Sequence, residues 1–336
     1  MSLPGSTPPT SRPFARRPGA LKVAALGGGH GLAATLRALR HVTSDVTAVV
    51  TVADDGGSSG RLRQELGVLP PGDLRMALTA LCDDSDWGYT WRDVLQHRFR
   101  SEGPLDGHAL GNLLIVTLWE LLGNEVAGLD WVGRLLGAQG RVLPMAAVPL
   151  EIQAEVKHAS GQQALVRGQS RVAVTSGQVQ RVRLVPQEPP ACAEAVASIR
   201  QADFVVLGPG SWFTSVMPHL LVPEIAEALH QTRARIVLTL NLSAQRGETE
   251  GYSAADHLRS LHDNAPDLRV DTVIADPTAI EELDDLRSCT ARTAGRLLLR
   301  QVGLGDGSPY HDPLRLAAAY RDAFEGFLGD VGERSE

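Results

Sequence analysis

Short, mostly apolar runs alternate with longer amphipathic ones along this chain. Residues 21–26 (LKVAAL), 46–53 (VTAVVTVA), 204–207 (FVVL), 236–240 (IVLTL) and 270–275 (VDTVIA) have the β-branched, unbroken apolar character of strands buried on both faces. Between them, residues 32–40, 62–66, 74–81, 91–99, 110–122 and 129–136 read as helices. So do residues 193–202, 223–231, 254–262 and 314–327. Strands that alternate with helices predict a Rossmann-like α/β fold, with a mostly parallel sheet and helices on both faces.

The pattern changes after residue 140. Residues 141–156 and 165–185 hold short, partly alternating runs such as RVAVTSGQVQRVRLV. They predict a small antiparallel β excursion at about 141–186, with Ser176 and Gly177 turning a hairpin. The first 20 residues are rich in Pro, Ser and Arg and read as a disordered leader. The expected organisation is that leader followed by a single nucleotide-binding domain over about 21–330.

Composition narrows the picture. With 336 residues and 43% of them hydrophobic, the chain can bury one large core or two smaller ones. A formal net charge of −7 argues against a broad nucleic-acid footprint. No apolar run reaches the roughly 18–20 residues of a membrane span. The leader lacks the apolar segment of a signal peptide. A cytoplasmic protein without membrane insertion is expected, and a homodimer is the default assembly. The 3 cysteines are an odd, widely spaced set, which fits neither a disulfide framework nor a zinc signature.

Candidate chemistry sits where apolar runs break into glycines. GGGHG at 27–31 places Gly28, Gly29 and Gly31 between a strand and a helix, where backbone amides can face an anion and His30 can donate to a phosphate. The spacing is not a full dinucleotide fingerprint, because Leu32 stands where a small residue belongs, and no P-loop lysine follows. A dinucleotide-dependent oxidoreductase rests only on that turn and the acidic residues that follow the next strand. At 54–60, Asp54 and Asp55 lead into Gly56, Gly57, Ser58, Ser59 and Gly60. Two carboxylates at a strand end can bind a hydroxyl, hold Mg²⁺ or act as a base; adjacent residues face opposite ways, so one faces the ligand while the other holds the loop. In PPGDLR at 70–75, Asp73 is a candidate N-cap. GHALGN at 107–112 offers His108 and Asn112 on one helical face. Later, Gly208, Gly210, Ser211 and Thr214 present amides and hydroxyls to a diphosphate, Asn241 follows another strand, and Tyr252 can stack on a base.

Taken in order, GGGHG, TVADDGGSSGRLR, PPGDLR, GHALGN, GPGSWFTSVMPHLLVP and QRGETEGYSAAD resemble the YvcK family of bacterial putative gluconeogenesis factors, within a wider CofD-like superfamily. The family's PPGDIRN carries Met76 here in place of its last asparagine, and Ser243, Ala244 and Arg246 depart from its MTQPGETDGY stretch. The resemblance implies binding of UDP-sugars such as UDP-N-acetylglucosamine. It also implies a role in cell shape and wall synthesis during gluconeogenic growth, with cell-wall or regulatory proteins as partners. Tyr252 is implied beside the uridine, and a downstream arginine on the ligand: Arg292 first among Arg287, Arg292 and Arg296. Transferases of the superfamily move a phospholactyl-type group with Mg²⁺, and Asp54 and Asp55 match their acidic pair. A non-catalytic binder is the leading expectation and a Mg²⁺-dependent transferase the alternative.

Overall fold

The computed structural model describes residues 19–326 apart from 159, 246 and 294. The predicted leader lies outside these residues, save for its last two positions. The first half runs β1 (Lys22–Gly27), α1 (Gly29–Leu39), β2 (Asp45–Val50), α2 (Gly57–Leu66), α3 (Pro71–Ala80), α4 (Asp86–Gln96), α5 (Leu110–Leu122), α6 (Glu125–Leu135) and β3 (Arg141–Pro144). The excursion follows as β4 (Glu151–Lys157), β5 (Gln163–Arg167), α7 (Gln169–Val172) and β6 (Gln178–Val185). The α/β pattern resumes with α8 (Ala193–Gln201), β7 (Phe204–Leu207), a π-helical turn (Trp212–Val216), α9 (Met217–Leu220), α10 (Pro223–Gln231) and β8 (Arg235–Thr239). It ends with α11 (Ala254–Asn264), β9 (Thr272–Ala275), α12 (Leu283–Arg292), β10 (Arg296–Leu299) and α13 (Pro313–Glu325).

Among the described residues, a 7-stranded sheet has the order β10-β9-β8-β7-β1-β2-β3, parallel throughout. Strands β7 and β1 at the middle of the sheet are buried along nearly their whole length, as their apolar runs require. The order grows outward from β1 in one direction and from β7 in the other. The β1/β7 junction is therefore the topological switch point, where open α/β sheets leave a crevice at the carboxyl ends of their strands. None of the described helices is long and apolar enough to cross a membrane.

The separate 3-stranded antiparallel sheet has the order β5-β4-β6. Strand β4 alternates half-buried and buried positions, and its inner Ile152, Ala154 and Val156 pack with Val182 and Leu184. The excursion is smaller than the sequence pattern predicts, because residues 141–144 pair in parallel with β2 as the edge of the main sheet. Ser176 and Gly177 turn no hairpin; they link α7 to β6, and the hairpin joins β4 to β5. Alternation alone does not separate the edge strand from the excursion, since both are short and only pairing distinguishes them.

Helix boundaries shift for a common reason. Helix α1 begins at Gly29, α2 at Gly57 and α3 at Pro71, each earlier than propensity predicts. Glycine and proline disfavour a helix interior but are tolerated in a first turn, whose amides have no intrahelical acceptor. Asp73 therefore lies inside the first turn of α3, and the N-cap is Pro70.

Helix α13 closes the fold over α1. Asp312 caps it by accepting from the Leu314 and Arg315 amides, Pro313 takes the first turn, and Gly326 ends it at φ 77°. Its Tyr320 is fully buried, with the hydroxyl 3.3 Å from Thr35 Oγ1 and 3.1 Å from Thr239 Oγ1. Thr35 in turn donates to the Gly208 carbonyl at 3.1 Å. Burial pushes the Tyr320 phenol up to about 12. Tyr320→Phe removes the link between two threonines and is expected to cost about 1 kcal/mol in urea denaturation. An unchanged midpoint would show that the relay contributes nothing to stability.

Candidate functional site

The floor of the crevice is two glycine turns in backbone contact. A Cβ on Gly31 would lie 2.2 Å from the Pro209 carbonyl oxygen and 2.6 Å from Gly210 Cα. One on Gly28 would lie 2.4 Å from Thr51 Cγ2, 2.6 Å from Asp73 Oδ2 and 3.2 Å from Ser215 Oγ. Both glycines are thus required by the closeness of neighbouring strand tips. Gly29, at φ 55°, has open space around it, and His30 is exposed at the start of α1.

The adjacent carboxylates part company. Asp54 accepts the Gly56 amide at 2.9 Å, and its Oδ2 lies 2.7 Å from where a Gly72 Cβ would stand. Asp55 accepts the Ser170 amide at 2.8 Å and so binds the excursion. The two carboxylates of the expected metal pair thus accept from different amides. The Asp54 charge also acts on Asp73. Burial pushes Asp73 up to about 7, and the Asp54 charge adds to the effect. A hydrogen bond from the Gly29 amide opposes it, while Oδ2 has no partner. Arg75, two residues on, is also buried; burial and the Arg98 charge lower it to about 10. Its Nε donates to Asn112 Oδ1 at 2.8 Å, and Gly111 makes room for its stem, with only 2.7 Å between a Gly111 Cβ and Arg75 Cδ.

Oxygen donors from Asp54 and Asp73 fit a hard divalent cation such as Mg²⁺, which takes one or two carboxylates and completes its shell with water or phosphate. Among the described residues no group of three or more His, Cys, Asp or Glu converges for a metal ion. The cation would supply charge neutralisation of a phosphate beside these carboxylates.

Several predicted ligand donors are already engaged within the protein. Ser58 Oγ lies 3.0 Å from His108 Nδ1, and it accepts from the Ala109 amide at 3.3 Å and from Asn112 Nδ2 at 3.0 Å. His108 and Asn112 thus meet on Ser58, below α2, where Gly57 opens that helix at φ 47°. Asn241 pairs with Gly210 in both directions, accepting its amide and donating to its carbonyl, each at 2.9 Å. It continues the β7–β8 pairing with a side chain. Thr214 donates to Glu248 Oε1 at 2.6 Å, and Glu248 Oε2 accepts the Phe213 amide at 2.8 Å. Gln245 accepts the Trp212 amide at 3.2 Å and donates to Ser211 Oγ at 3.4 Å. The amides expected to cradle a diphosphate after β7 are therefore met by the loop after β8. Gly208, at φ 65°, turns the chain over the Thr239 carbonyl.

Tyr252 ends that loop. Its half-buried ring meets Phe213 edge-on at 6.2 Å and His257 at 5.5 Å. Arg292 does not join the group: it is exposed at the end of α12, in the connection that feeds the amino end of β10. Arg287 lies nearer the start of the same helix, and Arg296 begins β10 at its amino end, away from the carboxyl edge. Arg246 lies outside the described residues. Sequence reasoning missed Thr51, Arg75, Gln245 and Glu248. The signal for Arg75 was its place two residues after Asp73, which seats both in the first turns of one buried helix.

Two outcomes follow from this packing. Gly31→Ala drives a methyl into backbone rather than a movable side chain, so a loss of about 1–3 kcal/mol is expected in chemical denaturation; wild-type stability would contradict the contact. Asp73 binds its proton more tightly folded than unfolded, so it costs stability as pH rises from about 4 through about 7. Without added divalent ions, Asp73→Asn should match wild type near pH 4 and exceed it at pH 8 by at most about 4 kcal/mol. A pH-independent difference would exclude this assignment.

Comparison with known proteins agrees with the architecture. Residues 23–292 match the 2-phospho-L-lactate transferase CofD family. The chain is 54% identical over 309 residues to a putative gluconeogenesis factor of Mycobacterium tuberculosis strain H37Rv, covering 88% of each. It is 39% identical over 261 residues to the gluconeogenesis factor of Bacillus subtilis strain 168, covering 78% of this chain and 80% of that one. The crystal structure of a UPF0052 family protein from Bacillus halodurans superposes with a TM-score of 0.80 at 35% identity, covering 89% of this chain and 98% of the other. The chain belongs to the YvcK-type gluconeogenesis factors of the CofD-like superfamily.

Proposed function

We propose that the crevice binds a UDP-sugar such as UDP-N-acetylglucosamine, and that the protein is a cytoplasmic regulator of cell shape and wall synthesis during gluconeogenic growth. The observation that carries this reading is the layout of the carboxyl edge. Asp54, Asp73 and the buried Arg75 stand at its β1–β2 end, and the Tyr252 ring stands beyond β8. Such a span suits an elongated ligand with a charged middle and an aromatic end.

In this reading Tyr252 offers its face to the base, steadied by Phe213 and His257. Burial pushes the phenol up, so it stays a neutral donor. Arg75 contributes positive charge toward the diphosphate, and Asp54 takes a ligand hydroxyl or shares Mg²⁺ with Asp73. Thr51 Oγ1 and Asp73 Oδ2, buried and without partners, receive ligand hydrogen bonds on the floor. Gly28 and Gly31 hold that floor close.

One observation favours a second reading, a Mg²⁺-dependent transferase of the kind the family's name describes. A carboxyl held near neutrality beside a second carboxylate suits acid–base work. Incubating the pure protein with UDP-sugars, Mg²⁺ and candidate acceptors separates the two, since turnover supports the transferase and binding without product supports the regulator.

Calorimetry with UDP-N-acetylglucosamine tests the leading reading. Tyr252→Ala should weaken binding about tenfold while leaving the melting temperature within a few degrees, because the ring is only half-buried. Unchanged affinity removes Tyr252 from the site, and a wild-type protein that binds no UDP-sugar removes the function.

A further inference from the structure

Among the described residues, six buried side-chain polar atoms have no partner, and two of them, Ser308 Oγ and His311 Nε2, lie between β10 and α13. Thr51 Oγ1 and Asp73 Oδ2 lie on the floor of the crevice against Gly28, and His257 Nε2 belongs to the ring beside Tyr252. Another is Gln169 Oε1, on the first residue of α7 in the excursion. A buried carbonyl oxygen without a donor carries a desolvation penalty that a bound ligand can relieve.

Helix α7 is held at both ends by loops of the crevice. At its start, the Ser170 amide donates to Asp55, and a Cβ on Gly168 would stand 2.2 Å from Asp55 Oδ2. At its finish, a Cβ on Gly247 would stand 2.6 Å from the Ala173 carbonyl oxygen and 3.2 Å from Val174 Cα. Asp55 follows β2, whereas Gly247 precedes Glu248 and Tyr252 in the loop after β8. These loops lie on opposite sides of the β1/β7 junction. The excursion thus lays a short helix across the switch point, from the acidic loop to the tyrosine loop.

We propose that Gln169 is a specificity-determining residue of this site, whose side-chain carbonyl accepts a hydrogen bond from a hydroxyl or amide N–H of the ligand's sugar. The inference rests on the UDP-sugar reading and adds the roof to it. Thr51, Asp73 and Arg75 meet the charged middle from below, and Gln169 meets the sugar from the excursion. Asp55 is then a positioning residue, since its carboxylate fixes the residues on either side of Gln169.

The test compares UDP-N-acetylglucosamine with UDP on wild type and Gln169→Leu, a change that keeps side-chain bulk but removes the acceptor. Loss of one neutral hydrogen bond is expected to weaken UDP-N-acetylglucosamine five- to tenfold and UDP less than twofold. Equal weakening of both ligands, or no weakening of either, overturns the assignment while the UDP-sugar reading stands. A wild-type protein indifferent to both ligands overturns the reading and the inference together. A matching thermal melt of the variant establishes that the difference arises at the site.

Discussion

The crevice depends on one close approach: the turn after β1 and the turn after β7 touch backbone to backbone at Gly31 and Gly210. A parallel sheet brings adjacent strand tips within about 5 Å of each other, but helices and side chains ordinarily keep the following turns apart. Removing the side chains at Gly28 and Gly31 lets α1 start directly against the second turn. The amino end of α1 and the acidic group beside it then share one floor. Any Cβ inserted there acts on the geometry of both halves.

A polar framework surrounds that floor and is largely self-satisfied. Ser58, His108, Asn112 and Arg75 hold one another on the β2 side, while Asn241, Gln245 and Glu248 hold the β7 turn on the other. Buried polar groups bring little net stability, yet they fix a unique arrangement when every member has a partner. The groups left without partners stand out against this background. Asp73 is the extreme case, a carboxyl pushed toward neutrality beside a framework whose own members are hydrogen-bonded.

The fold was legible because its strands are apolar on both faces and its glycines fall where strands end. Helix α5 and strand β7 match their predicted bounds, since a long apolar run and a short β-branched one leave few alternatives. The site was legible only in outline. Adjacency hides the separate partners of Asp54 and Asp55, because pattern shows that neighbours face opposite ways but not what waits on each side. Asn241 and Thr214 have the chemistry of ligand contacts, yet the Gly210 backbone and Glu248 engage them through pairings 31 and 34 residues apart. Arg292 was carried over by resemblance, and helix direction places it at the far end of the sheet. Asp73 fits the pattern of a cap because the apolar run begins only at Leu74, whereas Pro71 already takes the first helical position.

The hydroxyl relay from Tyr320 through Thr35 to the Gly208 carbonyl joins positions 285 residues apart in sequence. Contacts of such separation form only after most of the intervening chain is ordered, because closing so large a loop early costs entropy that nothing yet repays. Through Thr35, the turn after β7 takes this contact from the last helix of the described chain, not from its neighbours in the sheet. The closing helix and the turn at the switch point are thus mechanically joined, so a change at the carboxyl end of the described chain reaches the turn after β7.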